Sequence, residues 1–189
     1  VLGRAGTRIQ LRRATGTPGA PTLATATALG IDSAGVGGFL AARQGIRLVD
    51  SDEIVAMYRY DGSQTGIWTF DNIAGTVRTA NPWSSGAGNW DAARSAPLTG
   101  DFDGDGDEEL AAFYNYDNAQ TKLWLFDNTN STPTSRITWD SGTGNWEWAR
   151  GQYLAADTDG DGTDEIVAMY RYNGAQTGIR PYDNLTGTV

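Results

Sequence analysis

One segment of this chain is written three times. Glu53-Ile54-Val55-Ala56-Met57-Tyr58-Arg59-Tyr60 returns as Glu109-Leu110-Ala111-Ala112-Phe113-Tyr114-Asn115-Tyr116 and again as Glu165-Ile166-Val167-Ala168-Met169-Tyr170-Arg171-Tyr172, each copy 56 residues after the last. Trp83-Ser84-Ser85-Gly86-Ala87-Gly88-Asn89-Trp90 and Trp139-Asp140-Ser141-Gly142-Thr143-Gly144-Asn145-Trp146 recur at the same 56-residue offset. Periods near this length specify solenoids, propellers or arrays. Within a unit the apolar segments are short, aromatic or β-branched, and bounded by turn residues, so they read as strands. In the middle unit strands are expected near Ala96–Phe102, Glu109–Tyr116, Lys122–Asp127 and Ser135–Trp139, with a hairpin across Asp117–Thr121. No stretch sustains a 3.6-residue apolar period. The fold expected is all-β: propeller blades of four antiparallel strands on a 56-residue repeat, with metal-binding loops between strands. A blade packs on neighbours with both faces, and Ile54-Val55-Ala56-Met57 is apolar on both.

The units run 45–100, 101–156 and 157–189, preceded by 1–44 as a degenerate or atypical leader or partial blade. Shifted back one period, the Trp positions fall on Thr27 and Ala34, and the acids of the later loops on Gly45, Arg47, Val49 and Ser51, with Glu53 alone surviving. A degenerate blade, a leader foreign to the fold, and an out-of-frame reading (Asp-Gly repeats shift to Thr-Ala repeats, as in Thr25-Ala26-Thr27-Ala28) all account for this. No metal is expected near Gly45–Glu53. Closed propellers have about 4–8 blades, so three units and a fraction belong to a longer propeller or complete a ring with a second copy.

The loops themselves carry chemistry. Asp101-Phe102-Asp103-Gly104-Asp105-Gly106-Asp107-Glu108-Glu109 and Asp157-Thr158-Asp159-Gly160-Asp161-Gly162-Thr163-Asp164-Glu165 place acids at alternate positions split by glycines. Carboxylates so crowded repel one another unless a cation joins them. A hard cation such as Ca2+ takes about 6–8 oxygens, and a tight Gly-containing loop turns successive carboxylates inward. The side-chain ligands expected are Asp101, Asp103, Asp105 and Glu109 in one loop and Asp157, Asp159, Asp161 and Glu165 in the other, with Asp107 and Thr163 giving backbone carbonyls. This is not an EF-hand, whose twelfth residue is a bidentate Glu; Ala112 and Ala168 stand there.

Composition narrows the function further. The formal charge is −9, but the two loops hold 11 of the 23 acids, so bound cations would offset much of it. No basic cluster suits nucleic acid, and no apolar run is long enough to insert in a membrane. With no His and no Cys, the commonest general bases and the thiol nucleophile are missing, so an enzyme is not expected. Calcium staples suit a secreted or extracellular setting, where calcium is millimolar.

Aromatic residues supply a second candidate site. In Gly144-Asn145-Trp146-Glu147-Trp148-Ala149-Arg150 and its sister Gly88-Asn89-Trp90-Asp91-Ala92-Ala93-Arg94, Trp rings offer flat apolar faces to a sugar while Asn and Arg can bond its hydroxyls. The glycan contacts expected are Asn145, Trp146, Trp148 and Arg150, with Asn89, Trp90 and Arg94 as a weaker sister site. The competing reading has each Trp plugging the gap between blades and each Arg capping it.

Asp-x-Asp-Gly-Asp-Gly loops running straight into Glu-Leu/Ile-Val/Ala-Ala strands resemble the FG-GAP/VCBS repeat family, the blades of integrin-α-like propellers. The resemblance covers about 45–189. It implies structural calcium sites on the two ligand groups above. The family includes a fungal propeller lectin for N-acetylglucosamine, and similar repeats stand beside catalytic domains in secreted bacterial enzymes. A calcium-stabilised propeller module that binds carbohydrate and a non-catalytic structural or protein-interaction scaffold attached to a secreted enzyme or adhesin are therefore both expected functions.

Overall fold

The computed structural model describes residues 53–71, 76–127, 132–183 and 185–186 with their side chains, and the backbone of six earlier strands. Those six are β1 (Leu2–Ala5), β2 (Arg8–Leu11), β3 (Ala14–Thr17), β4 (Ala20–Leu23), β5 (Thr27–Asp32) and β6 (Val36–Ala42). Ten more follow: β7 (Glu53–Tyr60), β8 (Gln64–Asp71), β9 (Arg78–Ser84), β10 (Ser95–Gly100), β11 (Glu109–Tyr116), β12 (Gln120–Asp127), β13 (Thr134–Asp140), β14 (Gly151–Ala156), β15 (Glu165–Arg171) and β16 (Thr177–Tyr182). The described residues are all-β, and every pairing is antiparallel. Their only helical turns are 3₁₀, at Ala92–Arg94 and Trp148–Arg150.

Beyond a three-stranded sheet β1-β2-β5 and the pair β3-β4, three sheets carry the sites: β6-β7-β8-β9, β10-β11-β12-β13 and β14-β15-β16. Their registers correspond. Ile54 faces Phe70, Leu110 faces Phe126, and Ile166 faces Tyr182. Ser95 faces Tyr114, and Gly151 faces Tyr170. The pairing of β6 differs, since Glu53 lies opposite Ala42 whereas Glu109 and Glu165 lie opposite Gly100 and Ala156. The connection entering β7 is thus two residues longer than those entering β11 and β15. The whole of that connection, residues 43–52, lies outside the described residues, as does nearly all of the segment where no metal is expected.

Alternation explains how the sheets stack. On β11, Leu110, Ala112 and Tyr114 point one way and join Val55, Met57 and Ile67 of the first sheet, with Trp90 and Phe126. Ala111 and Phe113 point the other way and, with Leu123 and Leu125, meet Ile166 of the third sheet and Leu185. A strand covered on both faces reads as a continuous apolar run. Phe113 is fully buried and stacks on Tyr153, ring centroids 4.1 Å apart. Burying such a side chain stabilises the fold by about 1.5–3 kcal/mol. The corresponding face of the third sheet stays open, leaving Leu154, Met169 and Ile179 53%, 50% and 68% exposed. No closed ring of sheets is present among the described residues.

The strand expected to reach Phe102 stops at Gly100. Asp101 turns the chain into the acidic loop, and the Phe102 ring folds under it, 2% exposed. The turn Asp117–Ala119 forms with Asn118 and Ala119 at φ +62° and +52°.

Candidate metal centres

Each acidic loop joins the first strand of a sheet to the second, leaving β10 or β14 and entering β11 or β15. Two glycines per loop make the tight winding possible: Gly104 and Gly106 have φ +77° and +92°, and Gly160 and Gly162 +84° and +96°, a region that L side chains enter at a cost. The winding aims backbone N–H groups inward. Asp101 accepts from Gly104 N–H at 2.8 Å and Gly106 N–H at 3.0 Å. Asp157 accepts from Gly160 and Gly162 at 2.6 and 3.2 Å. At the far end, Glu109 accepts from Phe102 N–H at 2.9 Å, and Glu165 from Thr158 N–H at 2.7 Å and from the Thr158 hydroxyl.

Among the described residues, Asp101, Asp103 and Glu109 bring oxygens within 4.8 Å of one another, and so do Asp157, Asp159 and Glu165. These six are the expected ligands that converge. Asp105 and Asp161 lie outside the two groups; their carboxylates accept the N–H groups of Asp107 and Thr163 at 2.9 and 2.8 Å. The Thr163 hydroxyl also donates to Asp161 at 2.6 Å, which holds that carboxyl below its usual range.

Both glutamates are buried, at 2% and 3% exposure. Burial, with Asp103, Asp105 and Asp101 adding repulsion against the N–H bond from Phe102, pushes Glu109 up to about 8. Asp103 is raised too, again chiefly by burial. Glu165 shows the remaining deficit directly, because its buried Oε1 has no hydrogen-bond partner among the described residues. A buried carboxylate oxygen without a donor is costly. An oxygen-seeking cation between Asp157, Asp159 and Glu165 would satisfy it, so the donor set, all hard oxygens, fits calcium.

The two loops touch. Asp101 N–H donates to Asp164 Oδ2 at 3.0 Å, and Asp164 N–H donates to the Asp101 carbonyl at 2.7 Å. The approach is close: a Cβ on Gly100 would stand 2.8 Å from Asp164 Oδ2, and one on Gly104 2.8 Å from Thr163 Cγ2. Sequence reasoning missed Asp164. Its only signal is an acid beside the terminal Glu, and no spacing rule says that it crosses to the other loop.

The expected sugar-binding loops have a different arrangement. Trp90 and Trp146 are 4% and 5% exposed. Trp146 stacks on Tyr170 at 3.8 Å between ring centroids, and its Nε1 donates to Tyr153 Oη at 3.1 Å. Trp90 lies 4.2 Å from Tyr114, and its Nε1 donates to Ser95 Oγ at 2.8 Å. The faces expected to stack on a ligand are therefore taken by the next sheet, because each loop folds into the gap between two sheets. Arg94 lies over the Tyr114 ring and bonds Asp117 at 2.8 Å; Arg150 lies over Tyr170 and bonds Asn173 at 2.8 Å. These arginines cap the gaps. Asn89 and Asn145 each donate to a carbonyl of their own loop, Ser85 and Ser141, at 2.9 Å. Of the three Trp rings in these loops, Trp148 alone is not fully buried. With the Asn115 amide turned to satisfy both its ends, Trp148 Nε1 donates to it at 3.0 Å. Asn145 and Trp146 line one cavity, and Trp148 and Arg150 are not among the residues that line it.

Residues 101–168, from the first acidic loop through the second and into β15, match the FG-GAP-like repeat family. This segment is an FG-GAP-like repeat. Such repeats are non-catalytic structural or interaction modules that often bind calcium and are typical of extracellular proteins, and both acidic groups lie within the matched span. No curated protein and no solved structure matches the chain. No helix among the described residues is long and apolar enough to cross a membrane.

Proposed function

We propose that this chain is a calcium-stabilised, non-catalytic scaffold of the β-propeller type, its blades repeating every 56 residues and serving a secreted or extracellular protein. The observation that carries the reading is the buried, unpartnered Oε1 of Glu165, whose carboxylate is grouped with those of Asp157 and Asp159, a grouping that Glu109, Asp101 and Asp103 repeat. Asp101 opens the connection out of β10 and Glu109 begins β11, so a cation held by both pins the crossing between the two strands. The second site does the same between β14 and β15. The cation supplies charge neutralisation and structural closure; the residues supply shape. A ligand bound only by the folded state stabilises it by mass action. Asp103→Asn and Asp159→Asn should each lower the melting temperature in calcium while changing it little in chelator. Equal losses in both conditions would show that these carboxylates serve the fold without a metal.

Burial of Trp90 and Trp146 favours the scaffold over the carbohydrate reading. One place keeps the latter in play: a cavity of about 770 Å³ lined by Trp139, Asn145, Trp146, Tyr172, Arg180 and Tyr182, among others. The previous sheet carries Trp124 where this one carries Arg180, and Trp124 packs 5.5 Å from Trp90. Arg180 donates to Tyr172 Oη at 2.8 Å, as Trp124 Nε1 does to Tyr116 Oη at 3.2 Å. A glycan array with wild type and Tyr172→Ala tests it; binding that is lost with the ring supports a sugar site, and no binding by wild type leaves the scaffold alone. The open face of the third sheet, with Leu154, Met169 and Ile179, is suited to a further sheet of the same kind, from a second copy or from more of the same propeller. Sedimentation in which the chain dimerises, and in which Ile179→Asp abolishes the dimer, would establish the second copy.

A further inference from the structure

We infer that the two calcium sites are one cooperative unit, joined by Asp164 acting as a positioning residue for the first site. This rests on the calcium reading above and adds to it how the sites communicate. Asp101 is the most constrained ligand of the first loop, its two carboxylate oxygens accepting from Gly104 and Gly106 N–H at 2.8 and 3.0 Å. Its backbone is fixed from outside that loop. Asp164 accepts from Asp101 N–H at 3.0 Å and returns its own N–H to the Asp101 carbonyl at 2.7 Å. Asp164 in turn stands between Thr163 and Glu165, the residues expected to give the second site its carbonyl and its buried carboxylate.

Occupancy of the second site therefore immobilises both neighbours of Asp164, and through it the backbone of Asp101. The first site then binds with part of its ordering already done, which is positive coupling without a change of fold. Linkage makes the effect reciprocal. Repulsion between two dications acts the other way and is weakened by salt. The contact is also tight enough to transmit a shift, since no Cβ fits at Gly100 beside Asp164.

Calorimetric calcium titration of the whole chain tests this, with Asp164→Ala, Asp164→Asn and Glu165→Gln alongside. Wild type should bind two ions with a Hill slope above one. Glu165→Gln should remove the second site and weaken the first by a factor within about 5–150, the usual range for coupled sites. Asp164→Ala, which keeps only the backbone bond between the loops, should keep two sites and lower the Hill slope, while Asp164→Asn, which retains a side-chain oxygen for Asp101 N–H, should restore it. Two independent sites in wild type, negative coupling, or an unchanged first site in Glu165→Gln would overturn the inference and leave the calcium reading standing. No calcium uptake by wild type would overturn both.

Discussion

Replacing Trp146 by alanine separates packing from ligand binding at the loop that most invites a sugar-binding reading. The side chain is 5% exposed, stacks on Tyr170 at 3.8 Å and meets Trp139 edge-on at 5.6 Å. A buried Trp covers roughly 150–250 Å², which at about 25 cal/mol per Å² amounts to about 4–6 kcal/mol. Measured Trp→Ala costs of about 3–5 kcal/mol include the cavity left behind. About 4 kcal/mol is expected here. Tyr153 loses the indole N–H as a donor but still donates to the Trp148 carbonyl at 2.9 Å, so no further penalty is added. For a chain of this size, about 2–4 °C per kcal/mol converts the loss into a drop of about 8–16 °C. The assay is urea unfolding in excess calcium, read as a midpoint change at constant m. Trp148→Ala is the internal control: its partly exposed ring should cost about 1 kcal/mol. If Trp146→Ala costs less than about 1 kcal/mol, the assignment of this loop to the gap between sheets is wrong.

Two further outcomes follow from particular residues. Glu165→Gln should abolish calcium-dependent stabilisation at its site while leaving the chelated protein as stable as wild type or more so, because it removes a buried charge whose Oε1 has no partner among the described residues; paired melting curves with and without chelator read the crossing. Ala119→Gly, at φ +52° in the turn before β12, should raise stability by about 0.5–1 kcal/mol by relieving left-handed strain, measured by the same urea unfolding.

Much of the fold was legible because local signals agreed across copies. Glu109–Tyr116 begins and ends where the sequence placed it, since a run apolar on both faces, bounded by an acid loop and a turn, has few other solutions. The ends of neighbouring strands were less legible: Phe102 looks like strand by its side chain, yet the chain has already turned at Asp101. Three of the expected ligands in each loop were found together, because the positive-φ glycines wind the loop so that its first two acids meet its terminal Glu, while Asp105 and Asp161, between those glycines, fall outside the groups. The burial of the aromatic loops was not legible, for a physical reason. Trp146 in a Gly-Asn-Trp turn has the same sequence whether its face is open or covered, and the covering Tyr170 lies 24 residues away on another sheet. Asp164 was invisible for the same cause, as its partner Asp101 is 63 residues distant.

The central claim is that calcium holds the two strand connections together, and counting the ions while following stability addresses it most directly. Calorimetric titration of the chelated chain should give two Ca2+ per molecule, and saturation should raise the melting temperature; at a free concentration of 100 times Kd each site contributes about 2.7 kcal/mol. Identical melting temperatures in excess calcium and in chelator, with no binding heat, would contradict the account.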